Sequence, residues 1–300
     1  MMTGLKLKRA FLKESKGKSG EIALFQAFIR AFNALGPDAL AKEYHGNRYQ
    51  VTFDAARGAG RPTPRCELCD VMIIHYPADN ASAARITFNQ AKVSTNTLGC
   101  GRSATAVGPD SFRANLEQWD LLSNRPSINP ATRTFHPPID LLSGAILPSV
   151  GTFGVFYPSH TGFDFAYFVA AGLTPLTNSH NRTGTLQWGA PLNVIRHIAG
   201  HEEVTGTCCL LTFGDALEQS QIGTPISPLL YGAAGSTQMR AWLTKVLLSL
   251  RREHPDSQLP DELLNGLELR SVAEEQNSIL HAGEPSPPRA IILVKTKGRN

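Results

Sequence analysis

The stretch that most restricts what this chain can become is a pair of strand signals, Cys66 to His75 and Arg85 to Val93, separated by the turn-rich run Pro77 to Ala84. The first strand is built around Val71, Met72, Ile73 and Ile74, apolar and mostly β-branched residues that suit a pleated, buried surface. Two such runs joined by a moderate turn predict an antiparallel hairpin. An amphipathic helix precedes them: Ile22, Phe25, Phe28, Ile29, Phe32 and Leu35 recur at three- and four-residue spacing until Gly36-Pro37 ends the pattern. Tyr49 to Phe53 reads as a further short strand, and Ala56 to Pro64, rich in Gly and Pro, as a loop. The opening hundred residues therefore spell helix, strand, strand, strand.

Beyond residue 100 the signals thin out. Asp110 to Leu122 is expected as a helix, while Thr152 to Tyr157, Phe163 to Ala170 and Thr185 to Trp188 are expected to be extended. Thr207 to Phe213 is a short apolar segment, and Ser236 to Glu253 is an amphipathic helix presenting Met239, Trp242, Leu243, Val246, Leu247 and Leu250. A Pro-rich hinge, Glu284 to Pro288, leads to a last strand, Ile291 to Val294. These elements belong to the α/β class, and 300 residues suffice for one large domain or two small ones. No apolar stretch approaches the roughly 20 residues needed to span a bilayer.

Charge is unevenly placed. Residues 1 to 20 carry Lys6, Lys8, Arg9, Lys13, Lys16 and Lys18 against Glu14 alone, and Arg289, Lys295, Lys297 and Arg299 close the chain, so the body between is acidic. Residues 1–19 are expected to form a basic arm. Such an arm suits a polyanion, gaining affinity as counterions are released; the alternative is a solvated, partly disordered terminus. No continuous apolar segment accompanies these lysines, so they do not resemble a secretory signal. Five cysteines, at 66, 69, 100, 208 and 209, argue for reduced thiols and a cytoplasmic address.

The chemistry-bearing residues cluster around the hairpin. Side chains alternate across a strand, so Gln90 and Lys92 project from one face. Asp70 lies on the neighbouring strand, at a separation that lets a hairpin bring it to them. Glu21 stands one turn ahead of Phe25, on the edge of the helix's buried face. Two carboxylates, an amide oxygen and a lysine at one sheet edge suit Mg²⁺, a hard cation usually held by one or two carboxylates, waters and substrate phosphate. Such an ion polarises a phosphoryl oxygen and lowers the pKa of its water, and a neighbouring lysine offsets charge in the transition state. The chemistry that needs this set is phosphodiester hydrolysis. The competing reading is a cross-strand ion pair between Asp70 and Lys92, a solvated Gln90, and a Glu21 placed only to complement the helix dipole.

Helix Glu21, strand Asp70 and strand Gln90-Ala91-Lys92 on a helix-strand-strand-strand frame resemble the PD-(D/E)XK, or restriction-endonuclease-like, nuclease superfamily. The Gln-x-Lys form is similar to its Mrr-type branch and to effector nuclease domains of bacterial antiphage systems. The resemblance covers about residues 20 to 95. It implies a nuclease core over 20–110, a helix followed by a mixed β-sheet, with an α/β elaboration over 111–300. It further implies Asp70 and Gln90 as ligands of Mg²⁺ or Mn²⁺, Lys92 as the catalytic lysine and Glu21 as an accessory ligand. DNA is the implied substrate, endonucleolytic cleavage in defence the implied activity, and a homo-oligomer or an ATPase or sensor partner the implied company. A subunit that keeps the fold without catalysis, binding nucleic acid or such a partner, is the alternative. Cys69 stands where the family's name has Pro, and Gln90 removes a negative charge found in commoner members.

Other motifs carry less. Cys66-x-x-Cys69 has no second pair, and alternation sends the two thiols to opposite faces, against a zinc site. His197 and His201, followed by Glu202 and Glu203, do not form HExxH, and Gly99-Cys100-Gly101-Arg102 lacks the Lys-Ser/Thr of a P-loop. Trp119, Trp188, Phe153, Phe156 and Tyr157 read as core rather than as a stacking platform for bases.

Overall fold

Alternation along the strands builds a central sheet with an apolar layer on each face. The computed structural model describes residues 3–44, 49–55, 63–96, 110–176, 181–232, 236–277 and 288–298. In chain order its elements are helices α1 (Thr3–Glu14) and α2 (Glu21–Asn33), then strands β1 (Ala39–Glu43), β2 (Gln50–Phe53), β3 (Arg65–Glu67), β4 (Val71–Pro77), β5 (Arg85–Val93) and β6 (Asp110–Asn115). Helix α3 (Leu116–Asn124) leads to β7 (Ile128–Pro130), β8 (Gly151–Ser159), β9 (Gly162–Val169), β10 (Leu173–Pro175), β11 (Thr183–Trp188), β12 (Ile195–Ile198), β13 (His201–Val204) and β14 (Gly206–Thr207). Then come α4 (Leu210–Glu218), β15 (Thr224–Pro225), α5 (Ser227–Tyr231), α6 (Ser236–Glu253), α7 (Leu259–Gly266), α8 (Arg270–Asn277) and β16 (Ala290–Thr296).

The main sheet runs β1-β16-β4-β5-β8-β9-β14, with β15 on β5. It is mixed: β4 and β5 are antiparallel, as the hairpin signal predicts, whereas β16 runs parallel to β4 and β8 parallel to β5. On one face Val71, Ile73, Phe156, Phe165, Ile292 and Val294 meet Leu24, Phe28 and Phe32 of α2, Leu7 and Phe11 of α1, and Phe213 of α4. On the other, Met72, Ile74, Phe88, Phe153, Ile291 and Leu293 share a core with Leu243, Val246 and Leu247 of α6 and Leu263 of α7. Phe28 sits at the hub of the first layer, its ring against those of Phe32, Phe156, Phe165 and Phe213. Full burial of a side chain that size is worth roughly 1.5–3 kcal/mol.

Several expectations change. The basic N-terminal segment is no arm from residue 3 onward: it forms α1, whose Leu7 and Phe11 are buried and whose Lys8 pairs with Asp164 at 3.0 Å. Glycines at the crossing allow α1 and α4 to touch, because a Cβ on Gly4 would lie 2.2 Å from the Leu211 carbonyl oxygen and one on Gly214 2.4 Å from the Gly4 Cα. The segment expected as a helix from Asp110 divides into β6 and α3, since β6 pairs along its whole length with β11. Cys66 to His75 is two strands, broken at residues 68–70, and Thr207 to Phe213 splits between β14 and α4.

The largest difference is topological. Tyr49 to Phe53 contributes β2, but to a small separate sheet with β3 and β7, and the neighbour of β4 is instead β16. The residues expected as an elaboration, 111–300, thus supply β8, β9, β14, β15 and β16 to the sheet that carries β4 and β5. Most of the expected loop Ala56 to Pro64 (56–62), most of the hinge Glu284 to Pro288 (284–287) and the Gly99–Arg102 motif lie outside the described residues.

Candidate functional site

Strands β16 and β4 begin side by side while β5 runs on past them, and Asp70 lies at that end. The chain leaving β3 turns through Leu68 and Cys69, both buried, so that Asp70 arrives immediately ahead of β4. Its N–H donates to the Asn89 carbonyl at 3.0 Å, and its Oδ2 accepts the Ala91 N–H at 2.8 Å. A side-chain oxygen therefore continues the ladder one step past the strand. The Gln90 amide nitrogen donates to the same Oδ2.

Lys92, near the end of β5, carries its ammonium to Glu21 Oε1 at 3.3 Å. Glu21 opens α2, after Gly20 at φ 83°, a left-handed conformation that suits glycine, and it sits at the positive end of the helix dipole. Lys92 is 12% exposed and Glu21 42%, so this pair forms the solvent side of the site. All four residues singled out in the sequence are thus brought to one end of the sheet, as two linked pairs. Lys92 is near enough for its charge to act on Asp70.

Two further residues escape sequence reasoning. Arg289, immediately ahead of β16, places Nη1 3.2 Å from Asp70 Oδ1 and 3.6 Å from Glu67 Oε2, with its guanidinium carbon 5.9 Å from the centre of the Phe25 ring. Glu67 was within view, three residues before Asp70. Arg289 had no local signal, because only the pairing of β16 with β4 brings it there.

Burial pushes the Asp70 carboxyl up to about 6; the charge of Lys92, the Ala91 N–H and Arg289 pull it down, and Glu67 pushes it up. Gln90 is buried, and its Oε1 has no hydrogen-bond partner among the described residues. Among those residues no group of three or more His, Cys, Asp or Glu side chains is arranged to hold a metal ion. A cation here would rely on Asp70, the orphaned Gln90 oxygen and water. That mixed oxygen set is compatible with Mg²⁺ or Mn²⁺, and such an ion would give Gln90 Oε1 the partner it lacks.

The remaining sequence motifs fall elsewhere. His197 faces Glu202 across the β12–β13 hairpin, and His197 and His201 line an open cleft of about 680 Å³ with Asp79 and Arg85, at the opposite end of β5. Cys66 and Cys69 are free thiols whose burial pushes their pKa up, which disfavours the thiolates a zinc site needs. Cys208 is disulfide-bonded, against the expectation of reduced thiols throughout. Phe153, Phe156, Tyr157 and Trp188 are core residues, and Trp119 is partly buried against the core with its Nε1–H donating to the Leu173 carbonyl. No helix among the described residues is long and apolar enough to cross a membrane.

Compared with protein-family models, with curated proteins and with solved structures, the chain matches none.

Proposed function

We propose that this protein is a metal-dependent endonuclease that hydrolyses phosphodiester bonds in DNA, using Asp70, Gln90, Lys92 and Glu21. The observation that carries the reading is their meeting at one end of β4 and β5, from three separate stretches of chain, with the Gln90 side-chain oxygen left without a donor among the described residues. Asp70 and Gln90 Oε1 are the groups to hold the ion, with Glu21 as an accessory group acting through water. Once bound, Mg²⁺ or Mn²⁺ would supply Lewis acidity toward a phosphoryl oxygen and a more acidic water. Lys92, held by Glu21, keeps a positive charge on the solvent side of Asp70, where it orients a polyanionic substrate and offsets charge growing on phosphorus. A role in defence against foreign DNA rests on the family resemblance alone.

The test is incubation of plasmid with the full chain and Mg²⁺ or Mn²⁺, beside Asp70→Ala and Lys92→Ala. Nicking or linearisation that needs the ion and is lost in both variants is the expected result. Cleavage that survives both substitutions overturns the assignment. One feature favours a second reading, a nuclease-fold subunit that binds without cutting: Arg289 already supplies Asp70 with a cation. Retention of DNA with no cleavage under any divalent ion would select it.

A further inference from the structure

Asp70 has one oxygen to offer a cation, and a side chain of this protein already holds it. Oδ2 accepts both the Ala91 N–H and the Gln90 amide. Oδ1 accepts from Arg289 Nη1. A divalent ion approaching Asp70 therefore meets a guanidinium at the oxygen that is left.

The placement of Arg289 is built into the sheet. The offset of 219 residues between Asp70 and Arg289 is the offset of the parallel β4–β16 ladder, whose first pair is Met72 with Ile291. Arg289 thus extends that register by two positions. Its carbonyl accepts the Tyr44 N–H at 2.7 Å, and its guanidinium lies over Phe25. Backbone and ring fix the base of the side chain, while its tip, 30% exposed, reaches two acids. Glu67 gives that tip somewhere to remain if Asp70 is taken from it.

We infer that Arg289 is a resident counter-cation of the candidate metal site, which occupies Asp70 Oδ1 in the metal-free protein and withdraws toward Glu67 when a divalent ion binds. The inference rests on the metal-site reading above. It makes ion affinity the outcome of a competition within the chain. A charge-assisted contact to a largely buried carboxylate is among the stronger hydrogen bonds, so losing the competitor should tighten ion binding by about tenfold. It also gives Glu67 a task that metal ligation does not require.

The experiment is titration of the full chain with Mn²⁺, followed by the electron paramagnetic resonance of the free ion, with no nucleic acid present. Arg289→Met keeps an apolar stem against Phe25 and removes the charge; it should bind Mn²⁺ about tenfold more tightly than the wild type. Arg289→Gln, tested alongside in case the first variant fails to fold, should shift affinity in the same direction. Lys295→Met deletes a like charge from β16, the strand that Arg289 precedes, where Lys295 pairs with Glu262, and should stay within about twofold of the wild type. Asp70→Asn should remove the site. If the Arg289 variants bind no more tightly than the wild type while Asp70→Asn still abolishes binding, the counter-cation role is refuted and the metal site stands. If wild type and Arg289 variants alike bind no more Mn²⁺ than Asp70→Asn, the metal-site reading falls and takes this inference with it.

Discussion

The two ends of β5 hold comparable numbers of polar groups and treat them differently. At its start, Arg85 is 4% exposed and spends Nη1 on the carbonyls of Glu202 and Ser220. Thr87 meets Thr152, and His75 on the neighbouring strand reaches the Ile222 carbonyl at 2.7 Å. Glu203, fully buried, accepts the Ser149 N–H. At its other end, Gln90 and Lys92 belong to a set whose acids are paired with flexible cations, Lys92 and Arg289, at the edge of solvent. The contrast shows what sets the candidate site apart. An orphaned buried atom does not suffice, since His75 Nδ1 and Glu203 Oε2 also lack partners among the described residues. What sets the candidate end apart is a buried acid, Asp70, paired with a charged side chain that reaches solvent.

That contrast can be broken most directly by activity. Asp70→Asn and Lys92→Ala should each lower DNA cleavage by about 100-fold or more, whereas Arg85→Met should leave the rate per folded molecule within about twofold. Loss of cleavage in Arg85→Met with the fold intact would move the functional end. Next in size is packing at the closed end. Tyr167, fully buried against Phe213, should cost about 3–5 kcal/mol when truncated to Ala, read from urea unfolding.

The two ends should also answer acid in opposite ways. Asp70 titrates at about 6 when folded against 3.8 in a free carboxylate, so the native state takes up its proton first. Stability from this group therefore rises as pH falls from about 6 to about 4, by up to about 3 kcal/mol. His75, lowered to about 4 chiefly by burial, behaves inversely: the unfolded chain takes its proton first, and stability is lost between pH 6.5 and about 4 by a similar amount. In the metal-free wild type the two should largely cancel. Asp70→Asn should be more stable than wild type at pH 7 and lose stability on acidification, while His75→Gln should gain it. Denaturation midpoints across this window check both, and two variants that merely track the wild type would count against the assigned shifts. The smallest effect belongs to the surface: Lys42→Ala, which removes the partly exposed pair with Glu253, should change stability by less than about 0.5 kcal/mol.

What the sequence disclosed follows the range of the forces involved. Strand β5 has the limits expected of it, α2 forms where its apolar spacing places it, and Asp70 meets Gln90 because a hairpin is a local structure. Helix α1 was hidden by its own lysines: Leu7 and Phe11 stand four apart, enough for a narrow apolar stripe, but the charge around them reads as an arm. Residues 110–115 carry no preference strong enough to resist pairing with β11, so tertiary contact decides their state. Arg289 and the order of the sheet depend on a parallel contact between distant parts of the chain, which no window of neighbouring residues encodes.

The late arrival of β16 has a consequence for how each molecule comes into being. Asp70 and Arg289 are 219 residues apart, so on a ribosome adding about 5–20 residues per second the hairpin precedes its third strand by roughly 10–40 seconds. Until then a gap lies between β1 and β4, and the carboxylate beside that gap has no arginine. The candidate site is thus complete only once the closing strand is in place, and a chain released before that point lacks the pair between Asp70 and Arg289.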